Sequence, residues 1–270
     1  MKIAEKKSIS QEQSETVGKA IRYMKENLDD TITLNDLAEF VGYSSFHFSR
    51  MFKHVTGISP RYYLSALRIE QGKKLLANPS VSPSVIKTLL SLGFQSIGSF
   101  SSRFKQFVGL TPKEFNKRVK ELHQFLNEYD GEAEQVHGQA LINTSNLMVR
   151  IKIPKSFNGY IFIGLFPRPI PDQVPILGKV ITHKQEYCVF ESIPEGVYYV
   201  LTAAIEKSFN PLDYFLLENA LRGKYELPIS FEEKISRELE ITLRPPLPND
   251  PPILINLPKL LFDKIKNKAN

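Results

Sequence analysis

Gly42-Tyr43-Ser44-Ser45-Phe46-His47-Phe48-Ser49-Arg50-Met51-Phe52-Lys53-His54-Val55-Thr56-Gly57-Ile58-Ser59-Pro60 has a second version about 52 residues on: Gly93-Phe94-Gln95-Ser96-Ile97-Gly98-Ser99-Phe100-Ser101-Ser102-Arg103-Phe104-Lys105-Gln106-Phe107-Val108-Gly109-Leu110-Thr111-Pro112. Each copy opens on glycine, continues through Phe-Ser-x-x-Phe-Lys, and closes on glycine, an apolar residue, Ser or Thr, and proline. Glycine supplies the left-handed backbone that lets a second helix leave a first at a steep angle. Ser or Thr before proline caps and opens the next helix. The repeat therefore predicts helix, tight turn, helix, stop and a newly capped helix, written twice.

Working outward, Thr33-Leu34-Asn35-Asp36 is a Thr-x-x-acid start, with Leu34, Leu37, Ala38 and Val41 on one face of the helix it opens. The next helix begins near Ser44 or Ser45. Its buried side is Phe48, Phe52 and Val55, and its opposite side carries Phe46, Ser49, Arg50 and Lys53. Ser82-Pro83 and Thr111-Pro112 repeat the capping device of Ser59-Pro60.

These residues resemble the DNA-binding domain of the AraC/XylS family of bacterial transcription regulators, over roughly Val17 to Val119. The resemblance implies two helix-turn-helix units whose recognition helices face successive major-groove segments of double-stranded DNA. A long helix from Arg61 to about Ala77 would join them, and Val17, Ile21, Met24 and Leu28 would mark the first helix. It implies DNA contacts from Ser45, Phe46, His47, Ser49, Arg50 and Lys53 on one recognition helix, and from Ile97, Gly98, Ser101, Ser102, Arg103 and Lys105 on the other. The family also commonly attaches a sensing or dimerising domain. A small-molecule effector, a protein partner, RNA polymerase and a second copy of the chain are thus candidate partners beside DNA.

The charge is uneven along the chain. Ser45 to Lys120 holds thirteen Lys and Arg against Glu70 and Glu114, a balance of +11, whereas Tyr129 to the end holds sixteen bases and seventeen acids. A basic module beside a neutral one suits phosphate contacts and counterion release.

With 270 residues the chain can hold two domains with separate cores. Four prolines precede Pro154 and fourteen lie from there onward, which places the boundary. The expected division is an all-α double helix-turn-helix over residues 1–129, a linker over 130–146, and a mainly β small sandwich with one helix over 147–270. Phe115, Val119, Leu122 and Leu126 form an apolar stripe on the last helix of the first domain. Strands are expected at Tyr160–Phe166, Val197–Ile205, Glu186–Glu191 and Leu239–Leu243, with weaker ones at Met148–Ile153 and Ile253–Asn256. Asn210-Pro211 is expected to start the helix, Leu212, Phe215, Leu216 and Ala220 to form its face, and Gly223 to end it. The strands, spaced by proline and glycine turns, suggest a small antiparallel sandwich, and the piece formed by residues 159–166 and 193–206 resembles a transthyretin-type sandwich. Tyr160, Phe162, Phe166, Tyr187, Tyr198, Tyr199, Tyr214 and Phe215 could line an apolar ligand pocket or simply fill the core.

No stretch reaches the roughly 18 apolar residues of a membrane span, and the N-terminus lacks a signal-peptide apolar region, so a cytoplasmic protein is expected. No catalytic set, cofactor motif or metal-ligand spacing is visible. Alkylation-repair DNA methyltransferases also carry an AraC-like reader, joined to a methyl-accepting cysteine in a Pro-Cys-His-Arg setting. The single cysteine here lies in Glu186-Tyr187-Cys188-Val189-Phe190, which lacks that setting.

Three departures from the family pattern stand out. Thr88-Leu89 replaces an Ile-Ala pair in the helix before the second turn, and Gly72 replaces an alanine in the linking helix. Ser102 stands where the register with Arg50 calls for arginine, which predicts unequal readers: the first helix specifying bases and the second holding the backbone.

Overall fold

A computed structural model of the chain describes residues 9–77, 92–94, 96–128, 145–232 and 235–269. Ser82-Pro83, the Thr88-Leu89 helix and all but the end of the expected linker lie outside them. The helical part consists of α1 (Gln11–Glu26), α2 (Leu34–Phe40), α3 (Ser45–Thr56), α4 (Pro60–Ala77), α5 (Ile97–Val108) and α6 (Pro112–Glu128). Ser10, Thr33 and Ser96 each close a reciprocal capping box, satisfying backbone donors that a helix start leaves open. Gly42, at φ 78°, makes the turn from α2 to α3, and Gly93, at 72°, takes the matching place before α5. Gly57 and Gly109, at 83° and 78°, stop the two helices that follow. Leu34, expected on the buried face of α2, is 37% exposed, because Leu37 and Ala38 alone fill that contact.

The repeat extends into the packing. Phe48, Phe52 and Tyr63 form a chain of edge-on rings with centroids 5.6 and 5.4 Å apart; Phe100, Phe104 and Phe115 form its counterpart at 5.4 and 5.5 Å. All six are buried. Such ring pairs add to the large apolar area each phenyl removes from water. Arg68 of α4 binds the two units together: its guanidinium donates to the Leu28 and Asp30 carbonyls at 3.1 and 2.7 Å and to that of Gly93 at 3.5 Å. Gly93, at φ 72°, lies directly under that guanidinium, and its left-handed backbone is what favours glycine there.

The second part has eight strands: β1 (Asn146–Lys152), β2 (Gly159–Phe166), β3 (Leu177–Thr182), β4 (Tyr187–Phe190), β5 (Val197–Glu206), β6 (Leu221–Lys224), β7 (Ile229–Ser230) and β8 (Ser236–Thr242). One sheet has the order β4-β1-β8; the other runs β3-β2-β5-β6, with β7 paired to β5. Ile161, Ile163, Leu165, Val200 and Ala204 face Leu147, Val149, Leu239 and Ile241 in the core between them. The expected sandwich is present, and one of its pairings, β1 with β8, is parallel.

The helix expected from Asn210 to Gly223 is instead a single 3-10 turn, Pro211–Tyr214. Asn210 caps it as expected, but Leu221–Lys224 then pairs with β5 as a strand. Gly223 lies where a Cβ would be 2.4 Å from Ile241 Cγ2, so it permits close sheet packing and stops no helix. Ile253–Asn256 is no strand; it leads buried into α7 (Leu257–Ala269), which the sequence reading missed. Asn256 accepts the Lys259 amide at 3.0 Å as the N-cap, and Leu257, Leu260 and Leu261 recur at helical spacing.

The two parts do not have separate cores. Tyr160, Phe162, Ala203 and Ile205, on the other face of the β2–β5 sheet, join one cluster with α4, α6 and α7. The α6 stripe of Phe115, Leu122 and Leu126 lies within it, and Phe115 meets Phe215 at 5.8 Å. The molecule is thus layered as helices, five-stranded sheet and three-stranded sheet. Polar groups bridge the first two layers. Tyr63 donates to the Asp250 carbonyl at 2.7 Å, Tyr160 to that of Leu126 at 2.7 Å, and the buried Lys73 ammonium to that of Ile253 at 3.2 Å.

Two consequences can be measured. Phe52→Ala and Phe104→Ala should each cost about 3–5 kcal/mol in equilibrium unfolding, while Ser49→Ala should change little. Burial pushes the Lys73 pKa down to about 8 from 10.5. The cost of burying its charge is then fully present below pH 8 and is relieved as pH rises toward 10.5, because only the unfolded chain keeps the proton there. Burial raises the Tyr63 phenol above 10.0, an opposing effect that begins near that pH. The melting temperature should therefore climb from about pH 8 to about pH 10, and Lys73→Met should flatten the climb.

Candidate nucleic-acid interface

Helix α3 divides sharply into two sides. Phe48, Met51, Phe52 and Thr56 are buried, while Phe46, His47, Arg50 and Lys53 are exposed and Ser45 and Ser49 half-buried. Residues 46, 49, 50 and 53 form one stripe at i, i+3, i+4, i+7. Phe46 is 73% exposed, and the Arg50 guanidinium lies 5.5 Å from its ring centroid. An apolar ring left in water beside a cation on a rigid helix is the reverse of core logic, and it offers a stacking surface and a fork of donors together. The stripe is held from behind: Ser45 Oγ donates to Asn35 Oδ1 at 2.5 Å, fixing α3 to α2. Tyr43 meets the His47 ring edge at 5.0 Å and donates to Glu12 Oε1 at 3.4 Å, reaching α1.

The corresponding side of α5 carries Ile97, Gly98, Ser102, Arg103 and Lys105, all exposed, with Ser101 half-buried. Here the arginine is turned along its own helix. Arg103 Nη1 donates to Gln106 Oε1 at 3.2 Å, and its guanidinium lies 5.9 Å from the buried Phe107 ring. Gly98 and Ser102 offer little reach where Phe46 and Arg50 stand on α3.

The basic footprint is smaller than the residue count implies. Among the thirteen cations, Lys73 is buried, Arg68 is spent on carbonyls, and Lys74 is paired with Glu218. Lys87 and the Lys120 side chain lie outside the described residues. Arg50, Lys53, Arg61, Arg103, Lys105, Lys113 and Lys117 remain at the surface, with Arg118 half-buried.

Away from this surface, a cavity of about 220 Å³ lies between the β2–β5 sheet, the Pro169–Pro175 loop and α7. Of the aromatics expected to line a pocket, Phe162 and Phe166 do so. Tyr160, Tyr214 and Phe215 fill the shared core, Tyr198 fills the sandwich, and Tyr187 is 44% exposed. Cys188 is buried in β4. Among the described residues no His, Cys, Asp and Glu side chains gather in threes to hold a metal, and no helix is long and apolar enough to cross a membrane.

Comparison with known proteins agrees with this arrangement. A family model described as a helix-turn-helix domain matches residues 37–118. The HTH-type transcriptional activator AarP of Providencia stuartii is 30% identical over 103 residues, which cover 38% of this chain and 75% of that protein. The melibiose operon regulatory protein of Escherichia coli (strain K12) is 29% identical over 119 residues, 44% of this chain, and the chain spans 39% of its length. A crystal structure of a transcriptional regulator with an AraC-type DNA-binding domain, from Chromobacterium violaceum, is 28% identical with a TM-score of 0.37, over 40% of this chain and 96% of that one. A doubled helix-turn-helix with its glycines, caps and aromatic chains in register, and a relative matched over three quarters of its length, place the chain in the AraC-type family of helix-turn-helix transcription regulators.

Proposed function

We propose that this chain is a sequence-specific regulator that reads double-stranded DNA with α3 and α5 in successive major-groove segments. Residues 1–129 would carry the reading. Residues 147–270, reached through 130–146, would bias it by sensing an effector, pairing with a second copy, or recruiting a protein such as RNA polymerase. Such a reader acts where the chromosome is, in the bacterial cytoplasm. The observation that carries the reading is the exposed Phe46–Arg50–Lys53 stripe on α3, held from behind by Ser45 and Asn35, with α5 repeating the helix and, at Lys105, the last cation of the stripe.

Base reading falls mainly to the first helix. Arg50 can make a bidentate contact to guanine, and Phe46 can pack on a thymine methyl. On α5, Ile97, Gly98, Ser101 and Ser102 are short, and Arg103 lies along its own helix, which leaves Lys105 as charge for the phosphates. The shared core adds a constraint: the reader is one face of a larger packed body, so a ligand or partner on the β part acts on the helices through direct packing.

Binding-site selection followed by titration at several salt concentrations tests this. Arg50→Ala should cost about 1–3 kcal/mol and relax preference at particular base pairs. Lys105→Ala should weaken all sequences alike and make the salt slope shallower by about one unit. A selected site as sharply defined under α5 as under α3 would refute the division of labour. Loss of no affinity in either variant would refute DNA reading by these faces.

A further inference from the structure

The 220 Å³ cavity lies on the helix-facing side of β2, β3 and β5. Gly164 of β2 and Gly178 of β3, direct cross-strand partners, let Phe166 and Pro175 lie close on the strands, and Ala203 of β5 contributes only a methyl to the floor. Proline-rich chain from Pro169 to Pro175 forms one wall, and Leu257, Leu260 and Leu261 of α7 close over the top. A dry cavity of about 150 Å³ takes up benzene, so this one has room for a ring or short alkyl chain with a polar head.

One end of the cavity is not apolar. Arg222, register partner of Ala203, shares its face of the sheet, and Arg244 and Asp250 stand beside it. Arg244 and Asp250 satisfy each other through two hydrogen bonds of 2.7 and 2.9 Å. Arg222 meets no carboxylate directly. Its Nη1 and Nη2 donate to the carbonyls of Pro251 and Leu217 at 2.7 and 3.0 Å, and its buried Nε–H has no acceptor among the described residues. A buried guanidinium with an unused donor is costly unless something supplies the acceptor. Lys224, paired with Glu226 at 3.5 Å, also borders the cavity.

The wall of the cavity is also attached to the DNA reader. Pro169 presses on Gly57, the residue that stops α3: a Cβ there would lie 2.5 Å from Pro169 Cγ. Arg168 and Asp172 of the same loop region hold the start of α4 through Tyr62. Tyr62 donates its hydroxyl to Asp172 in a short hydrogen bond, Arg168 donates to the Tyr62 oxygen at 3.0 Å, and Arg168 pairs with Asp172 at 3.3 Å.

We propose that this cavity binds a small apolar monocarboxylate, tail over Ala203 and Phe162 and carboxylate at Arg222, and that occupancy shifts the Pro169 loop against the end of α3 and so changes DNA affinity. The binding half stands on the cavity alone; the regulatory half rests on the DNA-reading function proposed above.

Calorimetry on the full-length protein without DNA tests the first half, using hexanoate, octanoate, decanoate and benzoate, with octan-1-ol as the uncharged match. At least one carboxylate should bind one-to-one more tightly than about 1 mM, and octanol should bind about tenfold more weakly than octanoate. Arg222→Gln should erase that preference by weakening octanoate about tenfold while leaving octanol unchanged. Ala203→Leu keeps the guanidinium and its carbonyl partners but fills the floor, and should abolish binding of both. No binding by any of the four acids, equal binding of octanol, or binding that survives Ala203→Leu would overturn the site. For the second half, the affinity of the selected DNA site is measured with and without the bound acid. Wild type should respond, and Tyr62→Phe should bind the acid normally but respond several-fold less. A wild-type protein that binds the acid with no change in DNA affinity would overturn the coupling. A protein that binds the acid but no DNA would sink the DNA-reading function and leave the cavity assignment standing.

Discussion

Helix α4 has no wet side along most of its length. Pro60, Tyr63, Leu64, Ala66, Leu67, Ile69, Gly72, Lys73 and Ala77 are all buried, and they fall on every face of the helix. A helix in that position must satisfy each polar group it carries from some other part of the chain, because unpaired polar atoms taken from water cost several kcal/mol each. Its polar residues divide the work. Arg68 reaches back to the loop after α1 and forward to the second turn, while Tyr62, Tyr63, Lys73 and Lys74 reach into the β part. The relative placement of the two reading helices and of the sandwich is referred to this one rod. Gly72, which lowers helix preference by about 1 kcal/mol, is tolerated because the surrounding layers rather than intrinsic propensity hold α4 together.

The repeat itself was legible because its markers are local. Glycines at the turns and stops, Ser and Thr caps, and aromatics at four-residue spacing each act through neighbours in sequence, and those among the described residues appear where the pattern places them. The exposed side of α3 followed from the same periodicity. What escaped was what depends on distant chain. Asn210–Gly223 has helical periodicity, yet the edge of β5 and the pressure of Ile241 on Gly223 pull its end into the sheet. Lys73 and Arg68 counted as surface charge because nothing near them in sequence reveals that they will be enclosed. One signal was present and unread: Gly159–Phe166 is apolar on both alternating faces, which is the mark of a strand covered on both sides and not of a sandwich strand open to water.

The two repeats are alike in structure but are used differently. Tyr63 and Phe115 occupy equivalent ends of the two ring chains, and each passes beyond its own unit: the tyrosine hydroxyl to the Asp250 carbonyl, the phenylalanine ring to Phe215. On the opposite surface the divergence is greater, with Phe46 and Arg50 facing outward on α3 and Gly98 and Ser102 in their places on α5. The two units share their interior pattern, where any change of volume is felt at once, and differ on their outer faces.

The parallel pairing of β1 with β8 sets an order on how this chain can be assembled. The first strand of the sandwich cannot complete its sheet until residues 236–242 have left the ribosome. By then the helical part, made first and rich in local contacts, has had time to form. It does so with part of α6 still uncovered, since Phe115 packs on Phe215 and the Leu126 carbonyl takes the Tyr160 hydroxyl, both later in the chain. For that interval a nascent chain presents a finished DNA-reading surface on one side and an unfinished hydrophobic one on the other. The last helix, α7, docks its Phe262 edge-on to Phe125 at 5.1 Å and is among the final pieces to cover it.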